Sequence, residues 1–574
     1  MEKGHRFKFK INSKILAFIS SIVLLFALLF GALGYKIANS YKPSFYNYKS
    51  YMSRENIKKL SKDFDYKQFS EINEFTQAVV NNRTVAGIGS DFQAVTLIRK
   101  KILKPINFEK FLNLGFKVRD DNHLEEILKK TYTPIIWKHL TSYDEFLRTD
   151  IEGHELNAHL WKYFVPYYTQ DAVMAYNSSK TENKDFVLTN ELLENNLKTI
   201  NPNYKIEDKF SMFNLFNTLK KNNFNHFYMT DALRDNMLYG SAYELTINNS
   251  KRTDAEFSGL VTNLTYQRLI KNFGDLIHDS TGYDIKSNGN ITFKGDGQEL
   301  LNSILDPNKE NAQAAIMYNG DALDGHYSED NYANVKQGTL KVVKPSKNIL
   351  LVDGFVIVNN ISQGVEDQVY KTLNSGVYKN SGYLAKLSNE HPEWNTEKLL
   401  YESQFNIYKD FTKNEFKKLN VKKSEDWYNQ LFNLIKKYYK VGSKSKWIDK
   451  FKLENEDYFK ELVKVLKISD EETLIKLSYI NISSNANDLF DKYSNLENFD
   501  LINYTATNYL DYELLKNNYF IDEEGNFDDV AFAIYEIDIE KDKLHKNFQH
   551  EGIKPVDDEL LSLINNYYYR QTKN

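Results

Sequence analysis

The sequence predicts a mainly parallel, helix-covered α/β protein held outside the cytoplasm, with a helical insertion in its second half and one transmembrane helix at its N-terminus. Three observations predict it. From Ser44 onward, short apolar strands alternate with capped helices. Between residues 380 and 498 the alternation yields to a polar, Lys-rich stretch of helical period. Ahead of both, an uncharged run from Ile15 to Tyr35 follows a basic tail.

That tail contains Lys3, Arg6, Lys8, Lys10 and Lys14, and Lys36 closes the apolar run. As a helix the run spans roughly 30 Å, the thickness of a hydrocarbon core. Positive charge before it orients the N-terminus to the cytoplasm. A cleaved signal peptide competes with this reading, but the run is long for one and no small-x-small site ends it. Residues 1–40 therefore read as a single-pass anchor in the cell membrane, with the chain from Tyr41 onward extracellular.

Ser44–Tyr48 reads as the first strand, and Ser53 caps a helix through Leu60 with Glu55 in its first turn. Glu74–Val80 is helical, Thr84–Ile88 strand-like, and Ser90 caps a helix over Asp91–Lys101. Phe164–Tyr168 and Ala172–Tyr176 are strands, Phe227–Met229 leads into a helix near Asp231, and Leu340–Val343 and Ile349–Val358 complete the set. After about Tyr378 come the helices of the insertion, with Trp394, Trp427 and Trp447 widely spaced. The α/β texture resumes near Phe499.

Composition excludes several functions. The 574 residues include no cysteine, which removes disulfides, thiol nucleophiles and cysteine metal sites. A net charge of −4 does not suggest nucleic acid as a partner. His154 and His159 are five apart and diverge on a helix, whereas a zinc motif needs four. No phosphate-binding G-x-x-x-x-G-K-[ST] and no G-x-S-x-G occurs. Asp522–Asp529 lacks the spacing of a calcium loop. Neither catalytic machinery nor a metal site is evident, so an anchored α/β chain of this size points to a binding protein.

The most informative stretch runs from Ala312 to Asn359. Asp353 there interrupts residues that otherwise read as one buried strand, Asn348–Val358. A buried carboxylate needs a cation, donors or a ligand opposite it. Phe45-Tyr46-Asn47-Tyr48-Lys49-Ser50-Tyr51, Ile88-Gly89-Ser90-Asp91-Phe92, Val165-Pro166-Tyr167-Tyr168, Met229-Thr230-Asp231-Ala232-Leu233-Arg234-Asp235, Met317-Tyr318-Asn319-Gly320, Leu351-Val352-Asp353 and Tyr504-Thr505-Ala506-Thr507-Asn508 follow one another in order. Together they resemble the spermidine/putrescine-binding proteins of ABC importers, in the form found in mycoplasma-like bacteria. The resemblance covers roughly 44–378 and 499–574.

The resemblance implies a two-lobed, type II periplasmic-binding-protein-like fold with discontinuous lobes. The first lobe would comprise 41–165 with about 353–378, the second 166–352 with about 499–574, and 380–498 would be the insertion. It further implies a substrate-binding subunit without catalysis or cofactor, which takes a polyamine in the inter-lobe cleft. Its partners would be the permease and, through it, a cytoplasmic ATPase. Polyamine recognition needs carboxylates for ammonium groups and aromatic walls for the methylene stem. Matching positions assigns Asp353 and Asp235 as carboxylates, Tyr48, Tyr51, Phe92, Tyr318 and Tyr168 as aromatics, and Ser90 as a hydroxyl. Asp231 reads either as a helix cap or as a ligand contact, and Asp171 as a replacement charge. For Tyr51 and Tyr318 an ordinary core role competes. Where the family has Trp, this chain has Tyr48, Tyr318 and Leu351, which alters the aromatic box. Two other readings stay open: the same fold with another solute, such as an iron chelate, an oxyanion or a thiamine-like cation, or a surface adhesin on a decayed scaffold.

Overall fold

The computed structural model describes residues 13–38, 42–200, 208–246, 257–286, 289–328, 335–418, 424–438, 494–520, 527–537 and 548–573, with Lys460 and Lys464. Thirteen strands are present among them: β1 (Ser44–Tyr48), β2 (Asp65–Phe69), β3 (Ala86–Ser90), β4 (Val165–Gln170), β5 (Ala172–Tyr176), β6 (Phe227–Thr230), β7 (Ile291–Lys294), β8 (Ala314–Tyr318), β9 (Lys341–Val343), β10 (Lys347–Ile349), β11 (Leu351–Ile357), β12 (Thr505–Ala506) and β13 (Gln549–Glu551).

They build two main sheets, ordered β2-β1-β3-β11-β4-β12 and β7-β6-β8-β5-β9. In the first, β2, β1 and β3 run parallel, and β11 lies antiparallel to β3 and β4. In the second, β7, β6 and β8 run parallel, and β5 lies antiparallel to β8. Each sheet thus takes one antiparallel strand that has just crossed from the other. This is the expected two-lobed α/β fold with discontinuous lobes. One apolar cluster, with Phe45, Phe75 and Phe355, covers the first sheet and continues onto one face of the second through Val173, Tyr228 and Met317, and another, with Phe216, Met229 and Phe273, lies on the second sheet's other face.

Two crossings sit close together. Asp171 alone separates β4 from β5, and Leu350 alone separates β10 from β11. The stretch Ile349–Val358, read from sequence as one strand, is therefore two. β10 pairs with β13, and β11 enters the first lobe's sheet. An unbroken apolar run hides that switch, because both halves are buried on both faces. Strand β2 escaped the sequence reading for the opposite reason: Asp-Tyr-Lys-Gln-Phe is an edge strand, polar and largely exposed.

The C-terminal segment is shared between the lobes. β12 joins the first sheet through β4, whereas the helix Asp558–Thr572 places Leu560, Ile564 and Tyr568 in the second core. Of the insertion, the helices Tyr383–Glu390, Thr396–Lys418, Glu425–Tyr438 and Ser494–Ile502 are described, and most of 439–493, with Trp447, lies outside the described residues. The described part packs on the first lobe. Leu399, Phe405 and Phe499 enter its core, and Asn517 donates to Gln404 at 2.9 Å.

A helix covers Ser13–Ala38, and Phe18, Leu24, Leu25 and Phe30 on it are exposed. Among the described residues no helix is long and apolar enough to cross a membrane. The expected transmembrane span therefore gains no support from the structure.

Candidate functional site

The first lobe contributes a tight turn and a bulge. Asn47, at the end of β1, accepts the Tyr48 N–H at 2.8 Å and donates to the Tyr51 carbonyl at 3.1 Å. With Ser50 left-handed at φ 57°, the turn sets the Tyr48 and Tyr51 rings edge to face, 5.6 Å apart. Asp353 pairs with Ser90 across β11 and β3, and the ladder to β4 shifts register between Asp353 and Gly354. Such a bulge re-aims a side chain. Glycine is needed at 354, since a Cβ there would lie 2.4 Å from the Phe164 ring. The buried Asp353 carboxylate accepts from the Tyr51 hydroxyl at 2.9 Å and from Gln170 Nε2 at 3.1 Å.

The second lobe presents two more carboxyl groups. Asp235 lies in the first turn of the helix Leu233–Thr246, and its Oδ2 accepts the Tyr318 hydroxyl at 2.8 Å. Its neighbour Arg234 reaches across to the first lobe and lies over the Phe92 ring at 5.0 Å. Asp321, in the first turn of the helix Asn319–His326, accepts the Tyr504 hydroxyl at 3.2 Å. Tyr504 precedes β12 and so crosses from the first lobe. Its ring stands 5.9 Å from Tyr51 and 6.4 Å from Tyr318. Gly320 makes room for it, because a Cβ there would lie 1.9 Å from Tyr504 Cδ1.

Three tyrosine–aspartate pairs thus meet around one aromatic cluster: Tyr51 with Asp353, Tyr318 with Asp235, and Tyr504 with Asp321. Burial dominates their electrostatics. It pushes Asp353 up to about 7 against the Tyr51 hydrogen bond, and Asp321 up to about 7 against that of Tyr504. Asp235 rises to about 6, with the Arg234 charge opposing. Asp91 behaves oppositely. Burial would raise it, but the hydrogen bond and charge of His139 hold its carboxyl below the usual range. With Glu551 lining the same cavity and Lys554 beside it, five carboxyl groups face Arg234, His139 and Lys554, and the site has an excess of acidic groups. Beside Arg234 and Asp235 lies a cavity of about 10 Å³, lined by residues of both lobes.

Of the residues assigned from sequence, Asp353, Asp235, Tyr48, Tyr51, Phe92 and Tyr318 gather here. Ser90 is at its edge, with Oγ capping the helix Asp91–Arg99 by accepting from Gln93 N at 3.3 Å. Tyr168 lies against Tyr51, 6.3 Å between centroids, but its hydroxyl turns away to the Asn495 carbonyl at 3.2 Å. Two assignments fall elsewhere. Asp171 is fully buried at the inter-lobe crossing, where Lys344 Nζ pairs with it at 2.9 Å and His550 Nε2 lies 3.1 Å away. Asp231 accepts from the Tyr568 hydroxyl at 3.1 Å and pairs with Lys573, so it ties down the C-terminal helix. Neither has a charge left for a ligand in the cleft.

Sequence reasoning missed Arg234, Gln170, Asp321 and Tyr504. Two of them lay within reach: Tyr504 opens one of the ordered motifs, and Asp321 follows Gly320 directly. Elsewhere among the described residues, Asp150, Glu152 and His154 place one ligand atom each within 4.8 Å of the others. Asp150 already takes Lys101 at 2.7 Å and two backbone N–H groups at 2.9 Å.

No protein-family model and no curated protein matches the chain. Solved structures overlap with it only loosely. The spermidine/putrescine ABC transporter substrate-binding protein PotD from Streptococcus pneumoniae is 15% identical over 58% of this chain and 77% of its own, with a TM-score of 0.35. A provisional spermidine/putrescine ABC transporter protein from Listeria monocytogenes is 12% identical over 93% and 99%, with a TM-score of 0.42. Iron-bound HitA from Pseudomonas aeruginosa is 10% identical over 60% and 84%, with a TM-score of 0.31. Likenesses this remote say nothing of ligand, and the site has to be read from its own chemistry.

Proposed function

We propose that the chain is the substrate-binding subunit of an ABC importer, that it captures a polyamine between its lobes, and that it hands the ligand to a permease coupled to a cytoplasmic ATPase. The observation behind this reading is the trio of buried tyrosine–aspartate pairs drawn from both lobes. Desolvated carboxyls at intervals along an aromatic wall suit a flexible polycation: ammonium groups meet carboxylates while methylenes lie against rings. An anion binder would pair its helix N-termini with basic side chains, whereas the three helix N-termini here carry Asp91, Asp235 and Asp321, and the acids outnumber Arg234. Hinge rotation at the paired crossings Asp171 and Leu350 would admit the ligand. The reading gives the chain no catalysis of its own.

We further propose that the lobes work outside the cell, held at the membrane through the helix Ser13–Ala38 with its exposed apolar side chains. Melting the full-length chain with spermidine, putrescine, an iron chelate and a neutral sugar tests the ligand class. At about 100 times its dissociation constant a true ligand stabilises by roughly 2.7 kcal/mol. A shift with the sugar or chelate and none with either polyamine would overturn the assignment.

A further inference from the structure

The turn that carries Tyr48 and Tyr51 is held from behind by the insertion. The helix Ser494–Ile502, where the insertion rejoins the first lobe, buries Asn495, Leu496, Asn498, Phe499 and Ile502 along one face. Leu496 and Phe499 enter the apolar cluster of the first sheet. Asn498 lies between them, 0% exposed, so both ends of its amide need partners.

It finds them on the wall of the cleft. Asn498 Oδ1 accepts the Ser53 N–H at 2.8 Å, and its Nδ2 donates to the Tyr167 hydroxyl at 2.6 Å. That hydroxyl donates in turn to the Tyr51 carbonyl at 3.1 Å, which also takes Asn47 Nδ2. The Tyr51 and Tyr167 rings meet edge to face, 5.5 Å apart. The relay thus fixes the backbone on the C-terminal side of Tyr51, while the Tyr51 hydroxyl holds Asp353.

The chain has a local reason to need an outside partner here. Ser53 caps the helix Arg54–Leu60, and in a capping box a Glu or Gln at the third helical position accepts the cap's own N–H. That position holds Asn56, whose Nδ2 donates to Ser53 Oγ at 2.9 Å. The Ser53 N–H therefore goes to Asn498. A carboxamide serves both bonds at once, whereas a carboxylate there would have no proton for Tyr167.

We propose that Asn498 is a positioning residue for the ligand, through which the insertion sets polyamine affinity; the inference rests on the polyamine reading of the cleft. A Tyr51 ring that is already fixed need not be ordered by the ligand, and releasing the turn adds that cost to binding. The insertion is then a support of the site and not a separate appendage.

The test compares the full-length chain with Asn498→Ala, Tyr167→Phe and a control. Asn517→Ala breaks another buried amide pair between the first lobe and the insertion, that of Asn517 with Gln404, a bond that does not involve the turn. Calorimetric titration with spermidine should show affinity at least about tenfold weaker in Asn498→Ala, weaker in Tyr167→Phe and unchanged in Asn517→Ala. In the ligand-free chains, amide hydrogen exchange over residues 48–53 should be faster in Asn498→Ala and parent-like in Asn517→Ala. Parent-like exchange there in a folded Asn498→Ala chain would overturn the proposal, as would parent-like affinity or an equal loss in Asn517→Ala. If Asn498→Ala does not fold, parent-like affinity in Tyr167→Phe overturns it. A parent that binds no spermidine would instead defeat the polyamine reading, and hydrogen exchange alone then decides whether Asn498 holds the turn.

Discussion

The hydroxyl of Tyr504 in one lobe donates to the carboxyl of Asp321 in the other, 3.2 Å across the cleft. The second Asp321 oxygen is buried without a partner. The closed arrangement therefore depends on this one bond for a group that burial disfavours as an anion. Tyr504→Phe should leave Asp321 with no donor on either oxygen. We expect a loss of about 1–3 kcal/mol in chemical denaturation at pH 8, and a smaller loss at pH 5, where the carboxyl is protonated.

The same groups set the pH dependence. Asp353 and Asp321 titrate near 7 and Asp235 near 6 in the folded chain, against about 3.9 when unfolded. Between these values the folded state holds protons that the unfolded state has lost. These groups therefore make the ligand-free protein less stable as pH rises from about 4 to about 7, with no further change above that. A bound polycation reverses the preference and releases protons. Calorimetric titrations at pH 6 in two buffers of different ionisation enthalpy should show proton release on binding, which should vanish at pH 8.5.

Gly320 is where the aromatic cluster is most exposed to a single methyl group. Gly320→Ala would set a Cβ 1.9 Å from Tyr504 Cδ1 and force the ring aside. Polyamine affinity should fall at least tenfold. Gly364→Ala, where a Cβ meets nothing within 4 Å, is the matched control and should leave affinity unchanged. Fluorescence-monitored titration of both variants checks this.

Lys344 should matter for the hinge and not for the ligand. Lys344→Met leaves the fully buried Asp171 to His550 and Asn348. Breaking a buried pair from one side costs about 3–5 kcal/mol. The melting midpoint should drop markedly, while the affinity of the protein that remains folded changes little.

Much of this site was legible in the sequence because its motifs are local. Tyr48 and Tyr51 share a turn, Asp353 interrupts an apolar run, and Tyr318 with Gly320 marks a strand-to-helix junction. The two assignments that lie apart from the cluster do so for one physical reason. Asp171 and Asp231 resemble Asp353 and Asp235 in local setting, and only their partners separate them. Those partners, His550 and Lys573, lie 379 and 342 residues further along the chain. Arg234 was passed over for a related reason: nothing adjacent in sequence marks its partner, and only the folded lobes bring Phe92 beneath it. The division of Ile349–Val358 at Leu350 was likewise invisible, since burial on both sides of the crossing leaves the hydrophobic pattern unbroken.

The account rests on Asp353 as a desolvated partner for an ammonium group. The most direct test is calorimetric titration of spermidine into the full-length chain and into Asp353→Asn at pH 7.5. We predict saturable binding to the parent and a loss of about 2–5 kcal/mol in the variant, which should itself fold at least as stably as the parent at that pH. A folded Asp353→Asn chain that binds spermidine as tightly as the parent would contradict the account.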